Sequence, residues 1–296
     1  MTLHSSFWLI LSKPYALSSN HALGKVKRLL GLKKAGFSGT LDPLATGILP
    51  LAFGEALKTM HAMTLTEKEY VFQIRFGEKT TTDDVEGDVL EESSCRPSTK
   101  AIQEILSLFT GTITQIPPIY SALKIDGKRS YDLARQGLDV EVKQRDVFIK
   151  NLTLLSHDDD HHATFHVTCS TGTYIRSLGR DMSQALGTVG HINRLHRSRV
   201  GPFHENMSIS LEKLQEITHT HTVQDYTYPL GIGLDDILAV PITQDMYDQC
   251  MLGRTVALNT QSDDKKVTLW VEGCFAGFAY LDNGILHPKR MIHLKK

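Results

Sequence analysis

Two periods of apolar residues run along this chain and separate candidate strands from candidate helices. Phe7 to Leu11 is a continuous apolar run, read as a buried strand, and Ser12-Lys13-Pro14 breaks it. Ser18-Ser19-Asn20 offers a helix cap, and Leu23, Val26, Leu29 and Leu30 then recur at helical spacing over 22–32. Tyr70 to Phe76 alternates β-branched and aromatic residues and reads as a strand, followed by a polar, turn-rich stretch from Thr80 to Gly87. A helix is expected from Ser98 to Phe109. The prolines of Ile116-Pro117-Pro118-Ile119 forbid one there. Short helices are expected over Tyr131–Gln136 and Leu211–Ile217, and a longer one leads from Gly172-Thr173-Tyr174-Ile175-Arg176 through Leu186. Val147–Leu155 and Thr164–Ser170 read as an antiparallel pair.

The character changes near Val240. A short helix over Met246–Leu252 precedes three strands, Val267–Val271, Phe275–Leu281 and Pro288–Leu294, separated by Glu272-Gly273 and Asp282-Asn283-Gly284. This spacing predicts a small β-domain with its boundary near Leu238, dividing the chain into 1–238 and 239–296.

Composition narrows the picture without deciding it. The chain has 296 residues, 41% hydrophobic and 22% charged, ordinary for a globular protein. No apolar run is long enough to cross a bilayer as a helix, and Phe7 to Leu11 is too short for a signal peptide core. Cys95, Cys169, Cys250 and Cys274 are far apart with no CxxC pair, which argues against disulfides and zinc and for a reducing cytoplasm. His157-Asp158-Asp159-Asp160-His161-His162 reads as a solvated hairpin turn, not a metal site.

The formal net charge is −1, so the chain is not a globally basic nucleic-acid binder. Its cations are nevertheless clustered. Lys25, Lys27, Arg28, Lys33 and Lys34 form one run, and Arg176, Arg180, Arg194, Arg197 and Arg199 a second, opposed only by Asp181. Lys289, Arg290, Lys295 and Lys296 form a third. Any one run reads as a solvated face; together they suggest a footprint for a phosphate backbone.

The densest chemistry lies in Gly36-Phe37-Ser38-Gly39-Thr40-Leu41-Asp42-Pro43-Leu44-Ala45-Thr46-Gly47. Glycines allow sharp turns and close approach, and Pro43 biases Asp42 toward an extended backbone. An ordinary turn aspartate is the default for a bare Leu-Asp-Pro. Here the whole segment, continuing through Ile48-Leu49-Pro50-Leu51 and Gly54-Glu55-Ala56-Leu57-Lys58, resembles the catalytic motif of the TruB family of tRNA pseudouridine synthases. The resemblance extends in order through Lys13-Pro14, Lys68-Glu69-Tyr70, Ile116 to Gly137, Ser170 to Arg176, and Leu195 with Arg197.

The resemblance implies isomerisation of the uridine at position 55 of the tRNA T-loop, without cofactor or metal, with tRNA as partner; a monomer is expected, although the sequence leaves the oligomeric state open. It implies an α+β catalytic domain around a mixed, largely antiparallel sheet, with an RNA-binding insertion at about 117–145 and a small C-terminal PUA-like β-domain. It assigns Asp42 as the catalytic carboxylate, Arg176 as its charge partner, and Tyr70 as the ring that stacks on the base and moves a proton. Tyr174, Leu195, Phe37, Lys13, Arg197 and Lys124 fall at substrate-contacting positions. Phe37 stands where the family commonly has histidine. Without the motif, Tyr70 and Leu195 would read as packing residues.

Three other readings fit less well. A non-catalytic RNA-binding protein on the same scaffold would not need Asp42, Tyr70 and Arg176 intact. A glycoside hydrolase needs a second carboxylate, and neither Glu55 nor Asp83 sits in a comparably constrained motif. An NTPase would need a Gly-Lys-Ser/Thr ending that Gly36 to Thr40 lacks.

Overall fold

The computed structural model describes residues 6–64, 66–120, 124–125, 128–129, 142–218, 221–258 and 265–294, with the backbone alone at 64, 124, 125, 128, 129, 221 and 222. An eleven-stranded mixed sheet dominates it. The main path runs Ser208–Ser210, Phe7–Lys13, Thr46–Phe53, Gly190–Val200, Lys68–Phe76, His162–Cys169, Arg145–Asp159 and Gly111–Gln115. Pairing is antiparallel except where Phe7–Lys13 meets Ser208–Ser210 and where Thr46–Phe53 meets Gly190–Val200.

Phe7–Lys13 is apolar throughout because both its faces are covered. Phe7, Leu9 and Leu11 enter the main core, while Trp8 and Ile10 enter a second core behind the sheet. On the main-core face lie the helices Ser19–Leu30, Ile175–Ala185 and Leu211–Ile217, which contribute Ala22 and Val26, Ile175, Leu178 and Met182, and Leu211, Leu214 and Ile217. Ser18 caps the first of these helices by accepting from the His21 amide, and Gly31 ends it in the left-handed region at φ 65°.

A five-stranded sheet follows, from Ala239–Pro241 to Ile285–Met291, with the helix Gln244–Met251 against it. Its two hairpins turn on Glu272-Gly273 and Asn283-Gly284, all four with positive φ (48°, 77°, 46° and 74°), the type I′ geometry that matches strand twist. This sheet is not a free appendage. Phe275, Phe278 and Ile292 pack with Trp8, Ile10, Ile48 and Phe203 in the second core. Lys58 donates to the Met291 carbonyl at 2.7 Å, and the His293 amide to Glu55 at 2.9 Å.

The helix expected at 131–136 lies outside the described residues. The 157–162 segment is a hairpin, with Asp159 accepting from the His161 and His162 amides.

Candidate active site

The Asp42 loop joins Ala35–Phe37 to Thr46–Phe53, two strands paired with each other. Within it Pro43 heads a tight turn closed by the Ala45 amide donating to the Asp42 carbonyl at 3.1 Å. Leu41, Leu44 and Ala45 are buried and pin the loop to the main core. Ser19, at the start of the first helix, clamps it from the side: its hydroxyl accepts from the Leu41 amide at 2.8 Å and donates to the Leu41 carbonyl at 2.9 Å.

Arg197 holds the loop from beneath. Its side chain is fully buried, with Nε donating to the Ile48 carbonyl and Nη2 to the Gly39 carbonyl, each at 2.9 Å. The approach depends on glycine. At Gly47, φ is +97° and a Cβ would stand 2.2 Å from the Arg197 carbonyl oxygen. Lys13 supports the other end, donating to the carbonyls of Leu17 (2.6 Å), Pro14 (2.9 Å) and Pro43 (3.2 Å). Burial lowers its pKa to about 8, against the pull of Asp42 and Glu86.

So mounted, Asp42 presents a carboxylate whose side chain keeps 34% exposure, beside the almost fully buried Arg176. Arg176 Nε lies 2.9 Å from Asp42 Oδ2, but its N–H is not aimed along that line, so the contact is an ion pair rather than a hydrogen bond. The other guanidinium nitrogens are engaged elsewhere. Nη1 donates to the Thr82 carbonyl at 2.9 Å and lies 3.5 Å from Asp84 Oδ2, and Nη2 donates to the Tyr120 carbonyl at 2.9 Å. One arginine thus ties the Asp42 loop to the 80–88 turn and to the Tyr120 backbone.

Arg176 is aimed by its helix. Gln115, buried at the end of the edge strand, brackets Tyr174 by accepting from its amide at 3.0 Å and donating to its carbonyl at 3.3 Å. Tyr174 in turn is the N-cap residue of Ile175–Ala185, and Arg145 lies over its ring at 5.1 Å. Tyr70 faces the main core from Lys68–Phe76 and is paired with Arg197 across the strands. Burial raises the Tyr70 pKa and keeps the phenol protonated at neutral pH.

The remaining expected positions divide. Leu195 is buried in the main core beside Leu41, Tyr70 and Ile175. Phe37 is half-buried, packed against the same core from its edge strand. Lys13 and Arg197 do not offer their charges to solvent; Lys13 is spent on the carbonyls of Pro14, Leu17 and Pro43, and Arg197 on those of Gly39 and Ile48. The Lys124 side chain lies outside the described residues.

Asp84 escaped the sequence reading, and Asp83 was weighed there only as a second carboxylate for a glycoside hydrolase. Asp84 is buried at Arg176, and Asp83 is nearly buried, with φ +59° and Oδ2 2.8 Å from Arg180 Nη1. Burial raises both carboxyls. The judgement that Asp83 lacks a constrained setting is therefore corrected. So is the second basic run as a phosphate footprint: Arg176 and Arg197 are buried, Arg180 is paired with Asp83 and Asp181, and Arg199 with Glu69 at 3.0 Å. Only Arg194 of that run is exposed.

Residues 27–175 match the family profile described as "TruB family pseudouridylate synthase (N terminal domain)", and residues 176–239 that of "tRNA pseudouridylate synthase B C-terminal domain". A protein of Bradyrhizobium diazoefficiens named tRNA pseudouridine synthase B is 42% identical over 295 residues, covering 97% of this chain and 86% of that protein. One of that name from Caulobacter sp. (strain K31) is 42% identical over 253 residues, covering 86% and 82%. The chain belongs to the TruB family of pseudouridylate synthases. It is an isomerase, and the aspartate loop, Tyr70 and Arg176 lie within the matched span or one residue past its end. A solved H/ACA RNP bound to a substrate RNA containing 2'-deoxyuridine shares the fold, with a TM-score of 0.75 at 20% identity, covering 97% of this chain and 85% of that one. A Cbf5-Nop10-Gar1 complex gives 0.74 at 22%, covering 98% and 86%. The mixed, largely antiparallel sheet with a small second β-sheet is the architecture that the family resemblance implies.

Proposed function

We propose that this chain acts on tRNA, isomerising uridine 55 of the T-loop to pseudouridine, with Asp42 as the essential carboxylate and no cofactor. The observation that carries the reading is the Asp42–Arg176 pair: a carboxylate held 2.9 Å from a buried guanidinium, with a third of its surface still open. The reaction breaks the bond from C1′ to N1 of uracil and rejoins the base through C5. A carboxylate serves it by attacking or stabilising a cationic sugar, or by attacking the base. The fixed positive charge of Arg176 lies 2.9 Å from the Asp42 carboxylate. Tyr70 supplies a ring for the extruded base and a phenol for proton transfer at C5.

Uridine must leave the loop stack to reach Asp42, at about a few kcal/mol. Contacts with the RNA backbone offset that cost. A cleft of about 800 Å³ runs along the Ser19–Leu30 helix, lined by Lys25, Lys27, Arg28 and Lys33. Among the described residues Lys27, Arg28 and Lys33 have no carboxylate partner, so their charge is available to phosphates. Ser19 bolts the helix that carries this cleft to the Asp42 loop. The enzyme acts in this reading as a cytoplasmic monomer; no described helix is long and apolar enough to cross a membrane.

The test is Asp42→Asn assayed on T-loop RNA. The amide keeps the shape and loses charge and nucleophilicity, so pseudouridine formation should vanish while tRNA affinity stays within about tenfold, roughly 1.4 kcal/mol. Substantial turnover by that variant would remove Asp42 from the central role.

A further inference from the structure

We infer that Tyr15 is a stacking platform for a second nucleobase of the substrate RNA, a neighbour of the uridine that Asp42 receives. The inference rests on the reading of Asp42 as the site of the extruded uridine.

Tyr15 stands at the turn between the strand Phe7–Lys13 and the helix Ser19–Leu30. It is 60% exposed, more than any other described Phe, Tyr or Trp. Among the described residues its hydroxyl has no hydrogen-bond partner and its ring no stacking or cation–π partner. A lone exposed ring is ordinary on a protein surface. What sets this ring apart is its mounting.

Both ends of its turn grip the Asp42 loop, one on each side of the carboxylate. Lys13, before the turn, donates to the Pro43 carbonyl at 3.2 Å. Ser19, after it, exchanges bonds with the Leu41 amide and carbonyl at 2.8 and 2.9 Å. Lys13 also closes the turn itself, donating to the carbonyls of Pro14 and Leu17, which flank Tyr15-Ala16. Ala16 holds φ +59°, a left-handed conformation unfavourable for a residue with a Cβ. The turn is thus held in one costly shape, on the frame that carries Asp42, with an aromatic ring at its tip.

The same turn borders the cationic surface. Leu17 lines the cleft of about 800 Å³, and Pro14 lines an adjoining cavity of about 340 Å³ that shares Lys25 and Arg28 with it. Extruding a uridine unstacks the bases beside it, and an aromatic ring covers an unstacked base face whatever the base. The phenol ring carries no charge, which suits a base face rather than a phosphate.

Tyr15→Phe keeps the ring, and Tyr15→Leu keeps apolar bulk without the π face. Each is measured for T-loop RNA affinity across a salt series and for melting temperature. Tyr15→Phe should bind within about twofold of the wild type. Tyr15→Leu should bind at least about fivefold more weakly with the same salt slope, because a stacked base is lost and no phosphate contact. The measurement is repeated with RNAs that each lack one base near the target uridine. For one of them the difference between wild type and Tyr15→Leu should shrink to within about twofold, which identifies the stacked base. Both variants should melt within about 3 °C of the wild type, because the side chain is exposed. Wild-type affinity in Tyr15→Leu, an equal loss in Tyr15→Phe, a shallower salt slope, a loss that persists in every abasic RNA, or a melting temperature lowered well beyond that range would each overturn the proposal. Pseudouridine formation by the wild-type protein on the same RNA, lost in Asp42→Asn, tells failure of this inference from failure of the reading beneath it.

Discussion

At the Arg176 guanidinium, Asp42 meets Nε at 2.9 Å with its side chain partly open, while Asp84 meets Nη1 at 3.5 Å and is buried. Asp84 also accepts from the Thr82 hydroxyl at 2.5 Å and the Glu86 amide at 3.0 Å. Its carboxyl is therefore committed, and it steers Arg176 rather than facing a substrate. Burial raises its pKa, so its stabilising contribution is complete only below the unfolded value and is lost as pH rises through the folded one. At neutral pH its ionised form is a cost that Arg176 only partly offsets. Asp84→Asn should then leave the melting temperature at pH 7 within about 4 °C, or raise it, while slowing turnover at least tenfold. A large loss of stability with normal turnover of the folded fraction would make Asp84 a structural staple. Asp42 was legible because three glycines and Pro43 constrain the stretch around it, from Gly36 to Gly47. Asp83 and Asp84 were not, because each resembles a turn acid, and the arginine contact that gives Asp84 its meaning joins residues far apart in the chain, as does the Arg176 bond to Thr82, 94 positions away.

Among elements, those with local signals were readable: the capped Ser19–Leu30 helix, the alternating Lys68–Phe76 strand and the Asn283-Gly284 hairpin. Two central strands carried no such signal. Thr46–Phe53 contains Pro50, which argues against a sheet interior, yet Pro50 sits opposite Ile10 and accepts from the Ser38 amide at 3.0 Å. Gly190–Val200 carries three arginines and two histidines and reads as a polar segment. It is central because Arg197 is buried and because glycine at 47 admits its backbone. The neighbouring strand carries a related oddity, a buried Lys68 whose pKa burial lowers from 10.5 to about 8, helped by Arg197. Between about 8 and 10.5 the unfolded chain holds that proton and the folded chain does not, so the contribution of Lys68 to stability grows with pH. Tyr70 and Cys169, both raised, act in the opposite direction. In Lys68→Met the opposing groups remain while the gain is gone. Its melting temperature should fall further from pH 7.5 to 9.5 than that of the wild type, and equal falls in both proteins would refute the buried-lysine account.

At the scale of the whole molecule, the net charge of −1 conceals one coherent cationic surface, the cleft beside the first helix. Neutralising Arg28 and Lys33 together to glutamine should make the plot of log affinity for tRNA against log salt shallower by up to about 2, since each phosphate contact contributes roughly 0.9. Turnover at saturating tRNA should not change, because Arg28 and Lys33 line the cleft and neither bonds to Asp42 or Arg176. An unchanged salt slope would exclude the cleft from the RNA path.

The boundary near Leu238 raises a different question of scale. Strand spacing and composition present the segment beyond it as a separable module, and a module can be removed. The second core argues otherwise. Phe275, Phe278 and Ile292 are all buried against Trp8, Ile10 and Phe203, which belong to the large sheet. Burying three such side chains contributes roughly 5–9 kcal/mol, at about 1.5–3 kcal/mol each. That is comparable with the whole stability of a typical domain, roughly 5–15 kcal/mol. The Lys58 and His293 bonds across the same junction would also be lost. Sequence patterning does not reveal this, because Trp8 and Ile10 look like any strand residues until both faces of their strand are seen to be covered. A chain ending at Leu238 should therefore be poorly soluble and lack a cooperative thermal transition, so its weak tRNA binding would report misfolding rather than a lost RNA contact. The full-length Lys289→Glu variant should fold normally, and it is the proper probe of that domain's contact with RNA, since Lys289 is exposed. A soluble 1–238 chain melting cooperatively within about 5 °C of the intact protein would show that the junction contributes far less than its buried side chains imply.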